Sequence, residues 1–323
     1  MKSYNKLKIV SLVLLLLVVV TTNVAADGHI LVFHRFADNR YPATNITKEQ
    51  LIKVFDYLEN NNYQVVKLEK MVNWVKNNQA VPDKTVALTI DDGYRSFYDH
   101  GLDIFKKYDY PFTMFINTKP INQGYSDFLT WQQVQEIDKY GTIASHGYDH
   151  PHLTTLSKSE IKKDVQQSLS DIKENLGKKP NFFSYPYGEY NRNVRNIIKE
   201  LGFKAIFNQN LGAVAQESNS YDLNRIAVSE ASELDTKLAY DYLPAQWAQR
   251  EEMVTDGRVT RVKVKVAPEI EKAQLYVSGH GWRRVELAEG TLDLKLNLEL
   301  KYSRNRFFLK TYDNRLNGKL IMK

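Results

Sequence analysis

The sequence contains no cysteine among its 323 residues. Disulfide bonds, thiolate metal ligands and a lipid-modified cysteine at a cleavage site are therefore excluded. A metal site in this chain must consequently use other side chains, such as histidine and carboxylates. Hydrophobic residues make up 43% of the chain, which suits a globular protein that depends on its core for stability.

The chain has little excess charge once its N-terminus is set aside. Three lysines there precede an apolar run from Ile9 to Val20, and Val24–Ala26 provides small residues for cleavage. The run is too short to span a bilayer comfortably, so a retained anchor is the weaker alternative. We predict a cleaved signal peptide at residues 1–26 and a periplasmic or secreted mature protein.

Removal of those three lysines from the 44 basic side chains leaves 41 against 38 acidic ones, a net charge of about +3. A strongly basic surface is the usual sign of a protein that binds nucleic acid. The near balance of charges therefore argues against a nucleic-acid partner.

Two adjacent carboxylates follow a short apolar run, VALTIDDG, at Val86–Gly93. The run is typical of a buried parallel strand, which places Asp91 and Asp92 at its carboxyl end, where α/β folds position their chemistry. Because side chains alternate along an extended chain, one aspartate can bind a metal while the other acts as a base. The alternative is an ordinary Asp-Gly turn.

A second polar cluster, at Ser145–Leu153, follows the next short strand, predicted at Thr142–Ser145. His146 and His150 are four residues apart, a spacing that brings two imidazoles to one side of a helical turn or tight loop. Two polar clusters at the ends of successive strands predict a shared site. Two imidazoles and one carboxylate would leave a divalent metal with open coordination positions, as in catalytic zinc sites.

These residues resemble the motifs of the polysaccharide deacetylases, the NodB-like carbohydrate esterases. Thr89–Gly93 resembles their T-F-D-D-G motif, His146–Leu153 resembles H-x-x-x-H-P-x-L, and Phe183–Gly188 (FSYPYG) resembles a third motif. The resemblance covers roughly Ile30 to Tyr242. It implies the distorted (β/α) barrel of that family.

The resemblance also implies roles for individual residues. Asp91 would be the general base, and Asp92, His146 and His150 would bind one divalent metal ion. Zinc is the expected metal, with nickel, cobalt or iron as alternatives. A backbone N–H near Tyr187 would stabilise the oxyanion of an attacked amide.

Two features depart from the fuller family pattern. Ser184 stands where many members have an arginine, and no Leu-x-His follows Arg225. Both departures are shared by the branch that acts on poly-N-acetylglucosamine in biofilms. The missing histidine leaves the general acid unassigned. The leaving amine could receive a proton returned by Asp91, a proton from water, or one from His34, the candidate residue at the end of the first predicted strand.

Three further residues are assigned to substrate binding: Tyr185, Tyr187 and Arg225. The two tyrosines are candidates for stacking on sugar rings. Arg225 precedes a late strand and could also form a charge-assisted bond with Asp91, with an ordinary surface arginine as the alternative.

Strand and helix signals alternate from Ile30 onward, which predicts an α/β barrel at residues 27–243. Capping boxes are predicted at Thr47 and Ser157. Residues 244–257 are interpreted as a linker. Residues 258–323 alternate between apolar and polar residues and predict a small antiparallel β-sandwich.

Together these features predict an exported, monomeric, metal-dependent deacetylase of an N-acetylglucosamine polymer, with a biofilm exopolysaccharide as the expected substrate. Peptidoglycan and chitin-type chains are alternative substrates, and a non-catalytic glycan-binding protein is the alternative from another class. We expect the C-terminal sandwich to contact the export machinery or the polymer. Because no matched motif lies beyond Arg225, we also expect it to be dispensable for short soluble oligomers.

Overall fold

The computed structural model describes residues 27–323; the predicted signal peptide, residues 1–26, lies outside the described residues. The N-terminal part alternates strands and helices as expected. Its strands are β1 Gly28–Phe33, β2 Arg35–Phe36, β3 Asn45–Ile46, β4 Gln64–Val65, β5 Thr85–Ile90, β6 Phe112–Ile116, β7 Thr142–Ser145, β8 Phe182–Ser184, β9 Ala205–Phe207 and β10 Ile226–Ala227. Its α-helices are α1 Lys48–Asn60, α2 Leu68–Lys76, α3 Leu102–Lys107, α4 Thr118–Asn122, α5 Trp131–Ile137, α6 Lys158–Leu176, α7 Arg192–Glu200 and α8 Leu234–Lys237.

Eight of these strands form one parallel sheet in the order β10-β1-β5-β6-β7-β8-β9, with β4 paired to β5. The sheet curves as an open half-barrel whose edge strands are β9 and β10. This confirms the predicted distorted (β/α) barrel. Strands β1 and β5 are buried along their whole length, as near-continuous apolar runs predict.

Local sequence signals explain how the longest helix of this part begins and ends. Ser157 forms a complete capping box with Glu160, and α6 ends at Gly177, which adopts a left-handed conformation with φ 71°. Of the two hydrogen bonds in the capping box predicted for α1, one is present and the other is not. Thr47 accepts the Gln50 N–H, but the Gln50 side chain instead accepts the N–H of Ala231, because that loop packs against α1.

The C-terminal part consists of two antiparallel sheets around one hydrophobic core, which confirms the predicted β-sandwich. Its elements are β11 Asp241–Tyr242, β12 Gln246–Trp247, α9 Arg250–Met253, β13 Val254–Thr255, β14 Arg258–Lys265, β15 Lys272–Val277, β16 Gly281–Glu286, β17 Thr291–Glu299, β18 Arg304–Lys310 and β19 Arg315–Met322. The sheet orders are β11-β19-β18-β15-β16 and β12-β14-β13, with β17 paired to β14.

The segment expected to be a linker, residues 244–257, contains β12, α9 and β13. Met253 and Val254 are buried in the core of the sandwich, because their apolar side chains fill the end of that layer. The segment is therefore folded with the sandwich. The boundary at residue 243 stays a prediction.

Strand β11 begins the C-terminal part and pairs in parallel with β19, its last strand. Residues 27–323 contain no helix whose length and apolar character would suit a membrane crossing.

Candidate metal and catalytic site

The candidate site lies at the carboxyl edge of the parallel sheet. Asp91 and Asp92 directly follow β5, His34 follows β1 and His146 follows β7. Asp92 has φ 77°, a left-handed conformation that few residues other than glycine adopt, and Gly93 follows with the same φ. The two carboxylates at this turn have different main partners: Asp92 lies beside two histidines and Asp91 beside Arg225.

Asp92, His146 and His150 form a three-residue cluster. One side-chain ligand atom of each lies within 4.8 Å of the others. The Asp92 Oδ1 atom is 3.3 Å from Nε2 of His146 and 3.3 Å from Nε2 of His150. The sequence prediction that these three residues converge agrees with the geometry.

The chemistry of the cluster fits a divalent metal. His146 Nδ1 lies 2.9 Å from the backbone oxygen of Ser184, so this nitrogen carries the proton and Nε2 offers a lone pair. That Nε2 is buried and has no hydrogen-bond partner among the described residues. Burial lowers the pKa of His150 to about 4, so its imidazole is neutral at pH 7, the form that binds metals.

Asp91 lies beside the cluster and pairs with Arg225. The two Nη atoms of Arg225 donate to the two carboxylate oxygens of Asp91 at 2.7 and 2.6 Å. Burial alone would raise the pKa of Asp91, but the charge and hydrogen bonds of Arg225 outweigh it and lower the pKa. Asp91 is therefore held as a carboxylate, 3.9 Å from His146 Nε2.

The assignment of Arg225 to substrate binding is wrong. Its side chain is 1% exposed and its guanidinium is occupied by Asp91 and by the backbone oxygen of Asn208. The alternative contact, a charge-assisted bond to Asp91, is the one observed. The hydroxyl of Ser184 lies 3.4 Å from Asp91, while the guanidinium beside this aspartate belongs to Arg225, which directly precedes β10.

The assignment of Tyr185 to substrate binding is also wrong. Its side chain is 0% exposed, and its ring stacks on Tyr190 at 4.8 Å within the hydrophobic cluster beneath β8. Residues two apart on a strand share a face, so the turn after β8, in which Tyr187 has φ 60°, is what separates the directions of the two tyrosines.

Tyr187 lines the cavity next to the cluster, where a role in substrate binding would require it to be. Its φ is 60°, and its ring lies 4.3 Å from that of His150 and is stacked at 4.3 Å on that of His152. The Nδ1 atom of His152 is in turn 2.7 Å from the buried carboxylate of Glu189. These contacts fix the Tyr187 ring beside the metal ligands.

A cavity of about 530 Å³ opens onto the cluster, and its lining includes His34, Asp92, His146, His150 and Tyr187. His34 therefore lies at the site, as its strand-end position predicted. A second cavity of about 240 Å³ adjoins the first, and both share Asp92, Tyr94, His150 and Tyr187 in their linings.

The sequence analysis missed several cavity residues, and four of them bear on the chemistry of the site: Tyr94, Gln209, Arg304 and Arg306. Burial, with the charge of Asp92, raises the pKa of Tyr94 to about 12, which keeps its hydroxyl protonated as a donor. Because Tyr94 directly follows the Asp91–Gly93 turn, the sequence alone could have placed it at the site. The other three lie outside every matched motif, and only the fold brings them to the site.

This chain is similar in sequence to known deacetylases. Residues 78–206 match the family described as polysaccharide deacetylase. The chain is similar to the poly-beta-1,6-N-acetyl-D-glucosamine N-deacetylase of Staphylococcus aureus strain MRSA252, at 26% identity over 291 residues that cover 76% of this chain and 97% of the relative.

Two solved structures share the fold. The Streptococcus pyogenes deacetylase PplD, in complex with acetate, superposes with a TM-score of 0.61 at 22% identity, and covers 66% of this chain and 99% of its own. IcaB from Ammonifex degensii superposes with a TM-score of 0.56 at 24% identity, and covers 63% of this chain and 92% of its own. About a third of this chain therefore extends beyond each match.

Proposed function

We propose that this chain removes N-acetyl groups from an exported N-acetylglucosamine polymer, with poly-β-1,6-N-acetylglucosamine of biofilms as the substrate. The match of residues 78–206 to the polysaccharide deacetylase family supports this proposal. One observation carries the proposal: a buried, ionised aspartate lies beside a cluster of two histidines and one aspartate at the base of an open cavity. The product of this reaction is a partly deacetylated polymer and acetate.

Asp92, His146 and His150 would hold the metal, for which zinc is the expected ion because imidazole and carboxylate suit it. When bound, the ion would act as a Lewis acid toward the amide carbonyl. The histidine that is fully buried, His146, is oriented for this role by the backbone oxygen of Ser184.

Asp91 is the proposed general base. Its carboxylate would take a proton from the attacking water, and Arg225 keeps it ionised and fixed in place. We further propose that the backbone N–H of Tyr187 donates to the amide oxygen as charge develops there. The left-handed conformation of Tyr187 and its place in the cavity wall support this role.

The leaving amine needs a proton, and His34 is the proposed donor. It lines the same cavity, and the Gln209 side-chain nitrogen lies 3.5 Å from His34 Nε2 and 3.5 Å from Asp91 Oδ2. Gln209 therefore bridges the proposed base and the proposed acid. A proton from His34 would let the tetrahedral adduct collapse to acetate and the free amine.

The shape of the site supports a polymeric substrate. The two adjoining cavities both reach Asp92 and His150, which gives a chain room for sugars beside the one that reacts. In the second cavity, the buried side-chain oxygen of Asn117 has no hydrogen-bond partner among residues 27–323, so it is available to a sugar hydroxyl.

We also propose that residues 1–26 direct export and are then removed, which places the enzyme in the periplasm or outside the cell with its polymer. The proposed contact between the C-terminal sandwich and the export machinery, and the monomeric state, rest on the sequence reasoning alone.

A substrate panel tests the proposed function. Acetate release is measured from β-1,6-linked N-acetylglucosamine oligomers, chitin oligomers and peptidoglycan fragments, with metal-loaded and chelator-treated protein. We expect metal-dependent release, fastest from the β-1,6-linked oligomers. Faster release from either other glycan would reassign the substrate, and binding without release by the metal-loaded protein would favour the non-catalytic alternative.

A further inference from the structure

The C-terminal sandwich contributes two arginines to the active-site cavity. Arg304 and Arg306 are two residues apart on β18, so they project from the same face of that strand, and both line the cavity that holds the metal-ligand cluster. Both arginines lie outside residues 78–206, the range that matches the deacetylase family, so the matched motifs do not account for them.

Each arginine is connected to the catalytic residues through one intermediate side chain or backbone group. The Arg304 guanidinium lies 5.6 Å from the centre of the Tyr187 ring, which contacts His150. Arg306 Nη1 donates to the backbone oxygen of Gln209 at 2.7 Å, and the Gln209 side chain lies between His34 and Asp91. The two positive charges therefore lie beside the position of a reacting sugar.

Neither guanidinium is neutralised within the described part of the chain: no carboxylate of residues 27–323 forms an ion pair with Arg304 or Arg306. Burial and the neighbouring charge of Arg304 lower the pKa of Arg306, which shows that the two like charges affect one another. Unpaired arginines that converge on a cavity are the usual means by which proteins bind carboxylates.

We propose that Arg304 and Arg306 form an anion-selective glycan subsite, which favours a neighbouring sugar that carries a carboxylate and disfavours one that carries a free ammonium group. The inference rests on the proposed function, because it assigns a charge preference to the same site. Its consequence is that a sugar next to an already deacetylated one reacts poorly, so the acetyl groups are removed at separated positions along the polymer.

The test uses three β-1,6-linked N-acetylglucosamine pentamers: one fully acetylated, one with a single glucosamine and one with a single succinylated sugar. We expect kcat/KM for acetate release by the full-length, metal-loaded protein to follow the order acidic, neutral, cationic. Each step should be on the order of 3- to 10-fold at low ionic strength, and should shrink as salt is added.

The Arg304→Glu variant should reverse this order, since it replaces one positive charge of the subsite with a negative one. Arg284→Glu is the matched control, because Arg284 is an exposed arginine of the same sandwich that lines neither cavity. An order that ignores the charge of the substituent, or equal effects of the two variants, would overturn the proposal.

Binding of the same pentamers to the Asp91→Asn protein, measured by calorimetry, separates this inference from the proposed function. The affinity order should persist there without turnover. If the wild type does not release acetate but the order of affinities is kept, the proposed function fails and the subsite stands. If acetate is released and the affinities are equal, only the subsite fails.

Discussion

Arg225 donates two hydrogen bonds to Asp91, at 2.7 and 2.6 Å, and both side chains are fully buried. A buried carboxylate is stable in its charged form only when a partner of this kind compensates it. The pair therefore links the folding of the barrel to the ionisation of the proposed base.

Replacement of Arg225 by glutamine should damage both stability and activity. The uncompensated charge of Asp91 is expected to reduce the free energy of unfolding by about 3–5 kcal/mol. Acetate release should fall on the order of 10²-fold, because the base is then less ionised and less well oriented. Chemical denaturation and steady-state kinetics measure the two effects.

Arg225→Lys is the matched control. It keeps the charge but cannot form the two-pronged contact, so its activity should lie between those of the wild type and Arg225→Gln. Wild-type activity in Arg225→Gln would show that the pair has no catalytic role.

The metal-ligand assignment predicts a contrast between two neighbouring histidines. His150→Ala should lose stoichiometric metal, since it removes one of three ligands. His152→Ala should keep it, because His152 stacks on Tyr187 but lies outside the cluster. Elemental analysis of the purified variants gives the answer, and full metal content in His150→Ala would show that this residue is not a ligand.

His34 is predicted to act on the leaving amine without binding metal. His34→Gln should lower kcat on the order of 10²-fold and leave the metal content unchanged. His280→Gln is the control, because His280 lies on the sandwich and lines neither cavity. Unchanged turnover in His34→Gln would exclude it as the acid, whereas loss of metal would make it a ligand.

The burial of His29 is expected to make the stability of the protein depend on pH. It is buried in β1, its Nε2 lies 3.0 Å from the backbone oxygen of Tyr240, and burial lowers its pKa from 6.5 to about 4. The unfolded chain therefore binds more protons between these values, so the free energy of unfolding should fall as the pH drops from about 6.5 to 4.

The difference in the pKa of His29 should lower the free energy of unfolding by about 3 kcal/mol between pH 6.5 and pH 4. His29→Gln keeps a donor for the Tyr240 oxygen but does not titrate, so its stability should fall less over the same range. Identical pH dependence of denaturation in the two proteins would show that His29 does not contribute. Asp27, whose pKa burial raises to about 6, is present in both and cancels in the comparison.

The parts of the site that depend on strand ends were predictable from the sequence. Parallel strands bring their carboxyl ends to one edge, so Asp92, His146 and His150 could be placed together from local patterns. Tyr185 could not be separated from Tyr187 in this way, because which of two nearby aromatics faces the cavity depends on the turn after β8.

The sequence did not indicate that the C-terminal sandwich contributes residues to the cavity. We expected this region to be dispensable for short oligomers because no motif lies beyond Arg225, yet Arg304 and Arg306 line the cavity. Alternation predicts that β18 exists and which residues share its face. It does not predict that this face lies toward the barrel, since that depends on contacts far apart in sequence, such as the bond from Arg306 to the backbone oxygen of Gln209.

The central claim is that Asp91 activates water beside a metal held by Asp92, His146 and His150. The most direct test is the rate of acetate release from a β-1,6-linked N-acetylglucosamine pentamer by wild type and Asp91→Asn at equal metal content. We predict metal-dependent release by the wild type and a rate lower by 10²-fold or more in Asp91→Asn, on the order of what a positioned base contributes. Equal rates in the two metal-loaded proteins would contradict the account.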